Sequence, residues 1–107
     1  MANSAEKKVR IPERYHSEAV LAVLPLAINK LAFQQQSLSS ESIKPFETDL
    51  KMARVPMDEN ALQSLAFLKG KHKLTDQSIF TAAAIEVTEN QSLYGITQDK
   101  EGNNEAC

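Results

Sequence analysis

The chain has 107 residues, of which 42% are hydrophobic and 24% charged, and its formal net charge is −2. This size fits one small domain with a limited core, so we expect a homo-oligomer. The lone cysteine, Cys107, excludes an internal disulfide and fits a reducing, cytoplasmic setting. The longest uncharged apolar run, residues 19–28, is about half of a membrane span, and the polar start lacks the apolar stretch of a signal peptide, so we expect no membrane association.

The predicted elements begin with a flexible leader at residues 1–6 and a short strand at residues 7–11. Because successive side chains of a strand point to opposite faces, Lys8 and Arg10 should lie together on one face and apolar side chains on the other. Pro12 should end the strand, since proline has no amide to donate and fits the first turn of a helix.

An amphipathic helix is predicted for residues 13–36, where apolar residues recur at spacings of three and four. Pro25 lies inside this helix and should kink or divide it. The apolar stripe is larger than a small monomer leaves exposed, so another chain or the second half of this chain should cover it. The side chains that we assign to an oligomer interface are Val20, Leu24, Ile28 and Leu31.

A polar, serine-rich connector follows at residues 34–49, with a short helix expected near residues 39–40. Ile43 and Phe46 should pin this connector to the core. Residues 7–49 then form a first unit, composed of a strand, a kinked apolar helix and the connector.

Residues 50–96 form a second predicted unit with clearer signals. Its elements are a strand at 50–55, a helix from Met57 or Asp58 to about Lys69, and a helix capped by Thr75 that runs to about Glu89. Gly70 is a natural stop for the first of these helices. Residues 97–107 are polar and acidic, which predicts a disordered tail.

A short phrase occurs twice in the chain. Lys8-Val9-Arg10-Ile11-Pro12 returns 44 residues later as Met52-Ala53-Arg54-Val55-Pro56, and each copy leads into an apolar helical segment. A repeated strand–proline–helix phrase in so small a chain suggests a particular class of DNA-binding protein. The two strands could pair within one chain or between two chains, and the sequence leaves both arrangements open.

Residues 50–90 have the order strand, proline, helix, glycine-containing turn, polar cap and second helix. The residues that carry this order are Ala53-Arg54-Val55-Pro56, Leu62, Leu65, Leu68, Gly70, Thr75, Ile79 and Ala83. On these residues the chain resembles the ribbon-helix-helix family of DNA-binding proteins. The resemblance implies a mainly α fold, with at most a short two-stranded antiparallel ribbon whose outward side chains contact base edges in the major groove.

The resemblance implies base contacts by the outward side chains of both strands. Lys8, Arg10 and Arg54 are the candidates, because lysine and arginine reach the acceptors of guanine. Leu50 and Met52 should also point outward, which departs from the polar outward residues usual in the family. Lys51 should then fall on the inward face.

The resemblance also implies a phosphate at the amino end of the second helix. Thr75 and the nearby Lys69, Lys71 and Lys73 are the candidates, because a helix start offers free amides and a positive dipole end. The alternative is that these lysines only keep a turn soluble. The charge distribution allows phosphate contact, since residues 1–75 have 11 basic and 8 acidic side chains, against one and six beyond them.

Enzyme signatures are missing from the sequence, so we expect no catalytic site, no cofactor and no metal. We therefore expect a non-enzymatic protein that binds double-stranded DNA, as a transcription repressor, an antitoxin or an accessory of plasmid or DNA processing. The alternative is a small helical interaction subunit without DNA contact, which would hold a protein partner through residues 19–33 or the acidic tail. Leu65–Gly70 with the following alanine-rich helix is also faintly similar to the small fifth subunit of bacterial DNA phosphorothioation systems.

Overall fold

The computed structural model describes residues 5–34 and 38–96 of the chain. Within these residues the fold is mainly α-helical with a short two-stranded antiparallel sheet, which confirms the expected fold class. The strands are β1 (Ala5–Pro12) and β2 (Leu50–Met57), and the helices are α1 (Glu18–Gln34), α2 (Ser40–Ile43), α3 (Glu59–His72) and α4 (Asp76–Glu89). Short 3₁₀ turns lie at Glu13–Tyr15, Lys44–Phe46 and Gln91–Tyr94.

The two strands pair with each other within one chain, so the ribbon forms without a second subunit. Lys8 lies opposite Arg54, and Arg10 lies opposite Met52. The buried side chains of the inner side are Val9, Ile11, Ala53, Val55 and Met57. Because a slip of one residue would turn this apolar set to solvent, the alternation of the two strands specifies their register.

Helix α1 begins at Glu18, later than the sequence predicts, because a 3₁₀ turn comes first. The Ser17 hydroxyl caps this start by accepting a hydrogen bond from the Val20 amide at 3.1 Å. Pro25 lies inside α1 and does not divide it. A proline costs about 3 kcal/mol in a helix interior, and the complete burial of the preceding Leu24 helps to offset that cost.

The apolar stripe of α1 is buried inside the chain itself. Helix α1 packs against α3, α4 and β2. Val20, Leu24, Ile28 and Leu31 retain at most 9% of their surface exposed. The structure therefore corrects the assignment of these four residues to an oligomer interface, because the second half of the same chain covers them.

The connector between α1 and β2 carries the expected short helix. The Ser39 side chain caps α2 by accepting hydrogen bonds from the amides of Glu41 and Ser42. Ile43 is buried and holds the connector on the core, whereas Phe46 remains 42% exposed.

Helix α3 runs through Gly70 to His72 and ends at Lys73, which adopts a left-handed conformation with φ of 56°. The predicted stop at Gly70 is therefore wrong. A helical glycine costs only about 1 kcal/mol relative to alanine, and packing of α3 through buried residues such as Leu68 exceeds that cost.

Helix α4 packs against α1, α3 and β1, and most of its side chains are buried. Thr75 caps it as expected, since its hydroxyl accepts a hydrogen bond from the Ser78 amide at 3.2 Å. One hydrophobic cluster contains residues from both halves of the chain. Residues 1–4 of the predicted leader and the predicted tail at 97–107 lie outside the described residues, whereas residues 5–6 belong to β1.

Candidate nucleic-acid interface

The outer side of the ribbon is the candidate interface. Strand alternation places six exposed residues there, which we call the ribbon face: Glu6, Lys8, Arg10, Met52, Arg54 and Pro56. Lys8, Arg10 and Arg54 are the residues that the sequence assigns to base contacts. The structure therefore brings all three candidates together on one surface.

Two cations of the ribbon face lie directly opposite each other. Lys8 is the cross-strand partner of Arg54, and like charges in opposite positions destabilise a strand pair. Glu6 lies 3.9 Å from Arg54, but both side chains are 66% exposed, so this ion pair contributes little. Lys8 and Arg10 form no ion pair with another residue that the structure describes. The ribbon face therefore carries positive charge that its single acid does not neutralise.

Two further cationic residues near the ribbon, Lys51 and Arg14, lie outside the ribbon face. Lys51 falls on the inner side, opposite Ile11, as predicted, yet it is exposed. Arg14 donates hydrogen bonds to Thr48 Oγ1 at 3.0 Å and to the Phe46 carbonyl oxygen at 2.7 Å. Arg14 therefore ties the chain after β1 to the chain before β2.

The predicted phosphate cluster contains both engaged and accessible residues. Thr75 is occupied as the cap of α4, and Lys69 Nζ lies 3.1 Å from the carboxylate of Asp76. Lys71 and Lys73 are exposed at the end of α3. Of the three lysines, these two are accessible to a phosphate without the loss of an ion pair among the described residues.

Asp76 links the turn between α3 and α4 to the ribbon. This residue was not predicted from the sequence. Its carboxylate lies 2.9 Å from Lys7 Nζ as well as near Lys69. Partial burial disfavours the charged form, but the two ammonium groups outweigh this effect and lower the pKa of Asp76. The available signal was an acid directly after the cap Thr75, since acids are favourable in the first turn of a helix.

A second carboxylate also lies at the amino end of α4. Glu47 Oε2 accepts hydrogen bonds from Gln77 Nε2 at 3.1 Å and from Ser78 Oγ at 3.2 Å. Together with Asp76, it places two negative charges where the sequence predicts a phosphate. Because these charges repel an anion, the exposed Lys71 and Lys73 are better placed for phosphate than the helix start itself.

A shallow pocket of about 230 Å³ lies where α1, α2 and α4 meet. Its lining residues include Leu31, Ile43, Phe46, Ile85, Glu86 and Glu89. The Glu86 carboxylate is already engaged, because it accepts a hydrogen bond from the Tyr94 hydroxyl at 3.1 Å and lies 3.5 Å from Lys30 Nζ. Burial, reinforced by this carboxylate, raises the pKa of Tyr94. These polar groups hold the 3₁₀ turn after α4 in place.

No family model, curated protein or solved structure matches this chain. Within residues 5–34 and 38–96, no group of three or more His, Cys, Asp and Glu side chains is placed to hold a metal ion. None of the described helices has the length and apolar character needed to cross a membrane.

Proposed function

We propose that the chain is a non-enzymatic DNA-binding protein of ribbon-helix-helix type, whose ribbon face enters the major groove of duplex DNA. The observation that carries this proposal is the position of Lys8 directly opposite Arg54, with Arg10 beside them on the same exposed face. An isolated ribbon gains nothing from this arrangement, since opposed like charges cost free energy. A polyanion bound to the face turns the same charges into a source of affinity.

The dimensions and chemistry of the ribbon suit the major groove. The groove is about 12 Å wide and accepts a two-stranded ribbon. The long side chains of Lys8, Arg10 and Arg54 end in donors that match guanine O6 and N7. The side chains that alternate with these three residues point inward and pack in the core. The ribbon therefore presents the donors from a rigid support.

Phosphate contacts fall to the exposed lysines at the end of α3. The pairing of Asp76 with both Lys7 and Lys69 holds this turn against the inner side of β1. Lys71 and Lys73 are exposed at this turn, and we propose that they meet the DNA backbone that flanks the groove. Lys69 supports the position of the turn and contributes a weaker attraction, since its charge is shared with an acid.

A salt-dependent binding assay with duplex DNA tests the proposal. Wild-type protein should bind random duplexes at low salt, and its affinity should fall linearly on a log–log plot against salt concentration, because binding releases counterions. Binding no tighter than about tens of micromolar at low salt would be weaker than the non-specific affinity expected of such proteins and would contradict the proposal. A repressor, an antitoxin and a DNA-processing accessory all share this interaction.

The second candidate is a protein-interaction subunit, for which exposed apolar side chains on α1 provide the support. Phe33 is 86% exposed and Leu26 57% exposed, both on the side of α1 that faces away from the core. A homo-oligomer or another protein could cover them. Sedimentation of wild type and of the Phe33→Ser variant tests the homo-oligomer form of this candidate. An oligomer that the substitution dissociates would support it, whereas a wild-type monomer would exclude self-association and leave only a partner of another kind.

A further inference from the structure

The register of the ribbon places the two copies of the repeated phrase around a pseudo-twofold axis. Val9 and Ala53 are equivalent positions of the phrase, separated by 44 residues, and they are also direct cross-strand partners. An axis through this pair exchanges β1 with β2. It relates Arg10 to Arg54, so the two arginines of the ribbon face occupy equivalent places.

The same axis relates residues of unlike chemistry. Lys8 is equivalent to Met52, and Glu6 is equivalent to Leu50. Arg54 therefore shares its half of the ribbon with the charged residues Lys8 and Glu6, which we call the charged half. Arg10 shares its half with Met52 and Leu50, which we call the apolar half.

Met52 is the main apolar contact that the apolar half offers to a partner. Its side chain is 57% exposed, whereas Leu50 is half-buried at the end of the ribbon. In the major groove an apolar side chain contacts the methyl group of thymine, which no other base has, whereas lysine and arginine contact guanine. The two halves therefore present different chemistry at equivalent positions.

We infer that the ribbon face reads an asymmetric DNA element and binds it in a single orientation. Each half of the element has a guanine for its arginine, and these two guanines lie on opposite strands. Next to them, the element has a further guanine under Lys8 and a thymine at the equivalent place under Met52. This inference rests on the proposed function, because it specifies the DNA sequence class that the same face recognises.

The single-chain ribbon is what permits such asymmetry. A ribbon built from two identical chains presents the same residues in both halves and is matched by a palindrome, because the symmetry of the site mirrors that of the protein. Here β1 and β2 belong to one chain, so Lys8 and Met52 can differ without a second gene or a second subunit.

Selection from a pool of random duplexes, followed by titration of the recovered sites, tests the inference. Wild type should recover a site with two dyad-related guanines and unequal neighbours, and replacing its thymine with guanine should weaken binding by about tenfold. The Met52→Lys variant should reverse this preference and favour the palindrome with guanine in both halves. The Lys8→Met variant should favour the palindrome with thymine in both halves.

The possible outcomes separate this inference from the proposed function. Recovery of a perfect palindrome by wild type, or an unchanged thymine preference in Met52→Lys, would overturn the asymmetric reading while leaving DNA binding intact. Failure of wild type to bind any duplex would overturn both. Because Lys8 and Met52 are exposed, both variants should keep the circular dichroism spectrum of wild type, so altered selection reports on recognition.

Discussion

Lys7 of β1 and Asp76 of α4 form an ion pair of 2.9 Å that links the inner side of the ribbon to the first turn of α4. The two side chains are 30% and 28% exposed, so solvent screens this pair less than it screens a surface ion pair. Lys69 of α3 lies 3.1 Å from the same carboxylate. Burial alone would raise the pKa of Asp76, but the two ammonium groups lower it.

Replacing Asp76 with asparagine should destabilise the chain by about 1 kcal/mol at neutral pH, because both ion pairs and a favourable charge at the helix start are lost. Since the pKa of Asp76 is lower in the folded chain than in the unfolded chain, this stabilisation is complete above about pH 4. It is lost as the pH falls through the folded-state pKa. Urea unfolding from pH 7 down to pH 3 should therefore show the gap between wild type and variant narrowing below about pH 4.

Glu59→Gln provides the matched control for this series. Glu59 is also an acid in the first turn of a helix, but it is exposed and forms no ion pair with a described residue. Its replacement should cost less than that of Asp76. Equal losses for the two variants would show that the ion pairs contribute nothing beyond the helix dipole.

Gly70→Ala should stabilise the chain by about 0.5–1 kcal/mol, because Gly70 lies inside α3 and glycine has the greater backbone entropy to lose. Apart from its chain neighbours and the backbone of α3 itself, a Cβ at this position meets no atom within 4 Å. Gly95→Ala is the control, since Gly95 has a φ of 73° and alanine there should be destabilising. Thermal unfolding should show opposite shifts for the two variants, of a few degrees each, and a loss of stability in Gly70→Ala would contradict the prediction.

The correctly predicted features are those that depend on neighbouring residues in the sequence. Pro12 is the last residue of β1, as expected, although the equivalent Pro56 lies inside β2. Thr75 caps α4 because its hydroxyl reaches an amide three residues ahead. The outward direction of Lys8, Arg10 and Arg54 also follows from the two-residue period of a strand. These signals are local, so the sequence alone carries them.

The missed features depend on contacts between distant segments. Helix α3 continues through Gly70 because its other residues pack against the core, which outweighs a local preference. The stripe around Leu24 is covered by α3 and α4, and periodicity cannot tell which surface covers it. Asp76 meets Lys7 only because the fold brings positions 69 residues apart together, so no spacing rule could have found the pair.

Leu24→Asp should prevent stable folding, because Leu24 is completely buried and an unpaired carboxylate there costs several kcal/mol. Leu26→Asp should be close to neutral, since Leu26 is 57% exposed on the opposite side of the same helix. Circular dichroism and urea unfolding of the two variants measure the contrast. A folded Leu24→Asp chain with near-wild-type stability would contradict the burial of the α1 stripe within the monomer.

Lys71→Ala and Lys73→Ala should weaken binding to all duplexes alike, because phosphate contacts carry no sequence information. Each lost contact should lower the magnitude of the salt slope of log affinity by about 0.9. Lys44→Ala is the control, since Lys44 is an exposed lysine of the connector and outside the proposed interface. Titrations at several salt concentrations measure the slopes, and an equal change in Lys44→Ala would mean that only overall charge matters.

Arg10→Ala should weaken binding to the preferred site by about 1–3 kcal/mol and should reduce the discrimination between that site and random duplexes. Arg54→Ala should have a similar effect, because the pseudo-twofold axis through the Val9–Ala53 pair relates the two arginines. The loss in Arg54→Ala should be the smaller, since Arg54 also lies 3.9 Å from Glu6, whose charge competes with DNA. Titration of both variants on the preferred and the random duplex measures affinity and discrimination together. If Arg10→Ala weakened both duplexes equally, Arg10 would contact the phosphate backbone, and the ribbon face would not be the surface that reads the bases.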